Sequence, residues 1–94
     1  MNIPEKTFLD WCKEYEKAVD GLEIIIKELK VKKELCLGDY AKYEMLINAN
    51  RRVKEYAEKQ IFTMLNQSDI NPQDRVEGMN ILAIAIGKGG NQHV

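Results

Sequence analysis

Groups that usually carry catalysis are scarce in this sequence of 94 residues. It contains a single histidine, His93, and a single serine, Ser68. Its two cysteines, Cys12 and Cys36, are too few for a disulfide framework. The carboxylates fall on helical faces beside lysines, as solvated ion pairs do. We therefore expect a protein that is not an enzyme, with no metal site and no cofactor, and with two buried, reduced thiols.

Long apolar runs and an excess of charge of one sign are also missing. The longest apolar run, 81–86, has six residues, far short of the roughly 18 to 20 residues of a membrane span. No charged-then-apolar leader opens the chain. Lys and Arg number 14 against 15 Asp and Glu, whereas proteins dedicated to nucleic acid usually carry a basic excess. These features predict a cytoplasmic protein with no membrane partner.

A heptad pattern opens the chain and predicts a long helix over 4–37. Pro4 suits the first turn of such a helix, and Gly38 suits its carboxyl-terminal cap. Residues at alternating spacings of four and three form a stripe in which only Lys33 is polar: Phe8, Cys12, Tyr15, Val19, Leu22, Ile26, Leu29, Lys33 and Cys36. Neighbouring apolar residues make the stripe wider than a two-stranded coiled coil requires, which favours a bundle.

Two further helices are predicted over 40–66 and 72–86. Asp39 is expected to cap the second helix, and Asn71 followed by Pro72 is expected to begin the third. A buried strand over 81–86 is the alternative for the end of the third helix. We favour helix there, because no other segment offers that strand a partner.

The predicted fold is all-α, in a single domain over 1–94. The tight connection at Gly38 predicts a long antiparallel hairpin of the first two helices, with the short third helix beside it. Residues 87–94 are expected to form a flexible tail. The glycines of 87–90 could alternatively hold a phosphate with their backbone N–H groups.

The chain is too short to cover all of these apolar faces, which predicts that oligomerisation completes the bundle, as a homodimer or higher. The expected oligomer interface comes from the first and third helices: Phe8, Trp11, Cys12, Val19, Leu22, Ile25, Met79, Leu82 and Ile86. One hypothesis lays the first helix antiparallel to its own copy about Ile24, so that Cys12 faces Cys36. Packing of the same stripe on the second helix is the alternative.

Basic residues form two clusters, one at the end of the first helix and one midway along the second. An antiparallel hairpin could merge them into one surface for an acidic partner or an anion, with these residues: Lys30, Lys33, Tyr40, Arg51, Arg52 and Lys54. The alternative is that the first cluster compensates the helix dipole and the second pairs with Glu55 and Glu58.

These features predict a non-enzymatic, oligomeric helical interaction protein that binds and modulates another protein, most simply by inhibition. Lysine outnumbers arginine by 11 to 3, a composition typical of AT-rich bacterial and phage genomes. Two alternatives stay open. One is a small helical subunit that contacts nucleic acid through the basic clusters, and the other is an oligomeric binder of a small anionic ligand.

Overall fold

The computed structural model describes residues 6–32, 34–67 and 69–90, which form three helices. Helix α1 spans Phe8–Val31, α2 spans Leu37–Gln67 and α3 spans Pro72–Gly90. The all-helical prediction is confirmed, and residues 81–86 are helix and not strand. Within the described ranges, no helix is both long and apolar enough to cross a membrane.

Helix α1 begins at Phe8 and not at Pro4, which lies outside the described residues. Thr7 caps it. The N–H of Asp10 donates to the Thr7 hydroxyl oxygen at 3.2 Å, and the N–H of Thr7 donates to the Asp10 carboxylate at 3.0 Å. This reciprocal pair satisfies two N–H groups that the helix leaves free, and it lowers the pKa of Asp10. The spacing of Thr7 and Asp10 is the sequence signal that marks this start.

The end of α1 at Val31 corrects the predicted end at residue 37. The backbone N–H of Lys32 still donates to the Glu28 carbonyl at 3.1 Å, but Lys32 itself is extended. Cys36 therefore lies outside α1 and does not continue its apolar stripe.

Helix α2 begins at Leu37, three residues before the predicted start. Asp39 lies inside its first turn instead of capping it from outside. Its carboxylate accepts hydrogen bonds from the Lys32 ammonium at 2.9 Å and from the Cys36 backbone N–H at 3.2 Å. These bonds, led by the one from Lys32, lower the pKa of Asp39 to about 2. The carboxylate thus joins the end of α1 to the start of α2.

Helix α1 is the central element. It packs on both α2 and α3, whereas α2 and α3 make no close backbone approach to each other in the described part of the chain. All three helices contribute side chains to one core: Phe8, Cys12, Tyr15, Val19, Ala57, Ile61, Leu82 and Ala85. The molecule measures 50 × 34 × 16 Å, so it is thin in one direction.

Helix α3 approaches α1 most closely at Gly78. A Cβ atom there would lie 2.5 Å from Cε1 of Phe8 and 3.0 Å from Sγ of Cys12. Only glycine leaves room for this contact. Helix α2 also approaches α1 closely, at Gly21 of α1, where a Cβ would lie 2.6 Å from the side-chain oxygen of Asn50 in α2.

The carboxyl-terminal part of α3 corrects the predicted flexible tail. The helix continues through Gly90, and residues 91–94, including His93, lie outside the described residues. The ammonium of Lys88 lies 3.1 Å from the Asp20 carboxylate of α1 and holds the end of α3 against it. Because residues 87–90 are helical, their N–H groups donate within the helix and do not form the phosphate cradle that was the alternative to the tail.

Candidate binding surfaces

The predicted oligomer interface is divided between the core and the surface of one chain. Six of its members are buried by helices of the same chain: Phe8, Cys12, Val19, Leu22, Ile25 and Leu82. Trp11 is half-buried and meets the ring of Tyr56 edge-on at 5.4 Å between centroids. Met79 and Ile86 remain accessible, at 45% and 60% exposure. The surface available for another chain therefore includes Met79 and Ile86 of this set.

The two thiols have different environments, which corrects the expectation that both are buried. Cys12 is buried and Cys36 is exposed. Burial raises the pKa of Cys12 to about 11. The Cys36 thiol donates a hydrogen bond to the Asp39 carboxylate at 3.2 Å. The hypothesis that α1 pairs with its own copy through Cys12 and Cys36 does not fit this fold, because α1 buries the first thiol and ends before the second.

We expect a thiol reagent such as DTNB to react rapidly with one thiol per native chain, and with the second only after unfolding. Cys36 is accessible, whereas Cys12 is shielded and its thiolate is disfavoured at neutral pH. Absorbance at saturating reagent measures the two phases. Cys36→Ser should abolish the fast phase and Cys12→Ser should leave it unchanged; two fast equivalents in the wild type would contradict the placement of Cys12.

An apolar groove runs between α2 and α3 above Tyr15. Its volume is about 310 Å³, and we call it the groove, defined by the following residues: Tyr15, Glu58, Ile61, Phe62, Leu65, Met79, Leu82, Ala83 and Ile86. Glu58 is the one charged member of this set. Burial raises the pKa of Tyr15, and the negative charge of Glu58 raises it further.

The walls of the groove are accessible although its base belongs to the core. Phe62 on α2 is 57% exposed, and it lines the groove together with Met79 and Ile86 of α3. Ile61 and Leu82 beneath them are buried. Met79 and Ile86 on the α3 wall were predicted as interface residues, whereas no interface residue was predicted on α2, so Phe62 and Leu65 were missed.

A second apolar surface lies where α1 ends and α2 begins, and we call it the tip, defined by Val31, Leu37 and Tyr40. Val31 is 79% exposed, Leu37 86% and Tyr40 57%. The ammonium of Lys32 lies 5.5 Å from the ring centroid of the neighbouring Tyr43. Cation–π contacts of this kind hold both partners in place.

Two of the lysines near the tip are paired with acids. Lys27 pairs with Glu23 at 3.0 Å, and Lys32 pairs with Asp39 at 2.9 Å. Lys30 is exposed, and it makes no ion pair within the described residues. Lys33 lies outside them. The tip is therefore apolar, and of the lysines described near it Lys27 and Lys32 are paired with acids whereas Lys30 is not.

The second basic cluster lies at a different level of the molecule. Lys32 contacts Tyr43, and Arg51 and Lys54 are eight and eleven residues further along α2, or about 12 and 17 Å at ~1.5 Å per residue. Lys54 lies over the ring of Tyr15, 5.9 Å from its centroid, at the groove. The structure therefore does not merge this cluster with the tip.

The structure thus offers two candidate surfaces, the groove and the tip, at different levels of α1 and α2. Within the part of the chain that the structure describes, no group of three or more His, Cys, Asp or Glu side chains is placed to hold a metal ion. Comparisons of this chain with protein-family models, curated proteins and solved structures gave no match.

Proposed function

We propose that this protein is a non-enzymatic, oligomeric helical interaction protein that binds another protein and modulates it, most directly by inhibition, in a bacterium or a phage. The observation that carries the proposal is the large apolar area left accessible on all three helices. These side chains are each more than half exposed: Ile24, Val31, Leu37, Met45, Phe62, Ile84 and Ile86. Accessible apolar surface of this extent usually marks an interface with another chain.

In this proposal α1 and α2 form an antiparallel hairpin, and an oligomer completes the bundle. Trp11 near the start of α1 contacts Tyr56, and Lys32 just after its end contacts Tyr43. Later residues of α1 therefore contact earlier residues of α2, as in an antiparallel pair. Because α1 packs on both α2 and α3 and the molecule is only 16 Å thick, a further helix would cover a broad face of this layer.

We assign the tip to the other protein. Val31 ends α1, Leu37 and Tyr40 lie in the first turns of α2, and all three are exposed. Apolar and aromatic side chains commonly supply the buried centre of a protein interface. The paired lysines around them provide a polar rim. Recognition at the tip would thus depend on apolar contact and only secondarily on charge.

Immobilised chain incubated with bacterial lysate tests this assignment. We expect the wild type to retain one protein in a stoichiometric amount and Val31→Asn to retain at least ten-fold less. Val76→Asn is the matched control, since it makes the same change on α3 at a valine that is 61% exposed, against 79% for Val31. It should retain as much as the wild type.

The modulating role is then measured on the captured protein. We expect its own activity to fall with added chain and to saturate at a fixed molar ratio, with Val31→Asn much less effective. Equal loss of capture in both valine variants would contradict the tip as the interface. Retention of nucleic acid instead, with steep dependence on salt, would overturn the proposal in favour of the nucleic-acid subunit.

A further inference from the structure

We propose that the groove binds a second copy of this chain, with the α2 helices of the two copies antiparallel and related by a two-fold axis. This inference rests on the oligomer in the proposed function and identifies its interface. The shape of the molecule, the area that one chain leaves accessible and the charges beside the groove all favour this occupant.

The chain is larger and more accessible than a compact monomer of its size. Its radius of gyration is 15.8 Å, against about 12 Å expected for 94 residues. Its accessible surface is 7198 Å² for 10.9 kDa, against roughly 5,600 Å² expected for that mass, an excess of roughly 1,600 Å². Half of this excess would supply the about 800 Å² that each partner buries in a standard interface.

Four charged residues follow one another along the part of α2 that borders the groove: Arg51, Lys54, Glu55 and Glu58. Lys54 lies over the Tyr15 ring and Glu58 lines the groove, which places this face of α2 toward it. Arg51 and Glu55 are one helical turn from these two residues. Among the described residues none of the four makes an ion pair. The order within the helix, base before acid, is also the weaker one for pairs four residues apart.

The order of these charges makes α2 complementary to an antiparallel copy of itself. A two-fold axis between Lys54 and Glu55 sets Arg51 opposite Glu58 of the second copy and Lys54 opposite its Glu55. Symmetry doubles each pair. A parallel arrangement in the same register would set like charges against each other, which is costly.

The same register also covers apolar surface. It sets Phe62, which is 57% exposed, opposite Ile47 of the second copy. Apolar contact would thus flank the ion pairs on both sides of the axis.

Charge reversal tests the register directly. One variant carries Arg51→Glu with Lys54→Glu, and the other carries Glu55→Lys with Glu58→Lys. Each variant alone would set like charges against each other, so sedimentation equilibrium should show at least ten-fold weaker self-association than in the wild type. An equimolar mixture restores opposite charges at every pair, so native mass spectrometry should show a one-to-one heterodimer.

A matched control separates the register from net charge. Lys13→Glu with Lys17→Glu changes the net charge as the first variant does, at exposed positions of α1 away from these pairs. It should self-associate like the wild type. Circular dichroism checks that every variant stays helical.

Three outcomes would overturn this inference: a wild type that is monomeric at 100 µM, reversal variants that dimerise as the wild type does, or a mixture without heterodimer. The capture experiment tests the proposed function independently of the dimer. A monomeric wild type that still retains its protein through the tip removes only the oligomer, whereas a dimer that retains no protein removes only the binding partner.

Discussion

Phe8→Ala is expected to lower the free energy of unfolding by about 3 to 5 kcal/mol, the usual cost of removing a buried aromatic ring. Phe8 is 4% exposed and belongs to the core that joins α1 to α3. A chain of this size has little stability to spare. Urea unfolding followed by circular dichroism measures the change.

Phe62→Ala makes the same substitution at a side chain that is 57% exposed. At micromolar or lower concentration, where self-association is minimal, it should cost less than about 1 kcal/mol. It should also weaken dimerisation, since Phe62 faces the second copy in the proposed register. Equal losses of stability in the two variants would contradict the placement of Phe8 in the core.

Gly78→Ala is expected to be destabilising although alanine is the better helix former. The new Cβ would lie 2.5 Å from the Phe8 ring and 3.0 Å from the Cys12 sulfur, both in the core. Overpacking of this kind costs about 1 to 3 kcal/mol, and because the gain in helix propensity recovers about 1 kcal/mol, we expect a net loss of up to about 2 kcal/mol. Thermal unfolding at equal protein concentration measures the net loss.

Gly21→Ala is the matched control for this effect. The nearest atom to its new Cβ is the end of the half-buried Asn50 side chain, which can rotate away. We expect a result between no change and a gain of about 1 kcal/mol.

A double variant separates the steric contact between residue 78 and the Phe8 ring from the effect of helix propensity. In a Phe8→Ala background the ring that obstructs the new Cβ is gone, so Gly78→Ala should lose most of its cost. Full additivity of the two substitutions would mean that α3 does not approach α1 at this point.

The existence and type of the three helices followed from local patterns. The apolar stripe of α1 has a helical period, and its buried members include Phe8, Cys12 and Val19 as expected. The start of α3 was also local. The Asn71 side chain accepts a hydrogen bond from the Gln73 N–H at 2.9 Å, with Pro72 at the first helical position.

The positions where helices end depended on contacts between residues that are far apart in the sequence or belong to different helices. The apolar stripe runs on past Val31 toward Cys36, yet α1 stops and Lys32 turns to meet Asp39. Residues 87–90 looked too rich in glycine for a helix, yet α3 continues through them, with Lys88 paired to Asp20 of α1. Such pairs between distant positions have no local signature.

The sequence was therefore sufficient to predict an all-helical chain with a wide apolar stripe on its first helix. It also predicted more apolar surface than one partner helix covers. The packing of the helices determined what individual residues do in the fold. By helix propensity alone, Gly78 only weakens α3, but the structure shows that it allows the close approach of α1. Phe62 alone is an exposed surface residue, but together with Met79 of α3 it lines the groove. The periodicity of a helix specifies which residues share a face, but only the arrangement of α2 and α3 around α1 specifies which faces meet and which stay open.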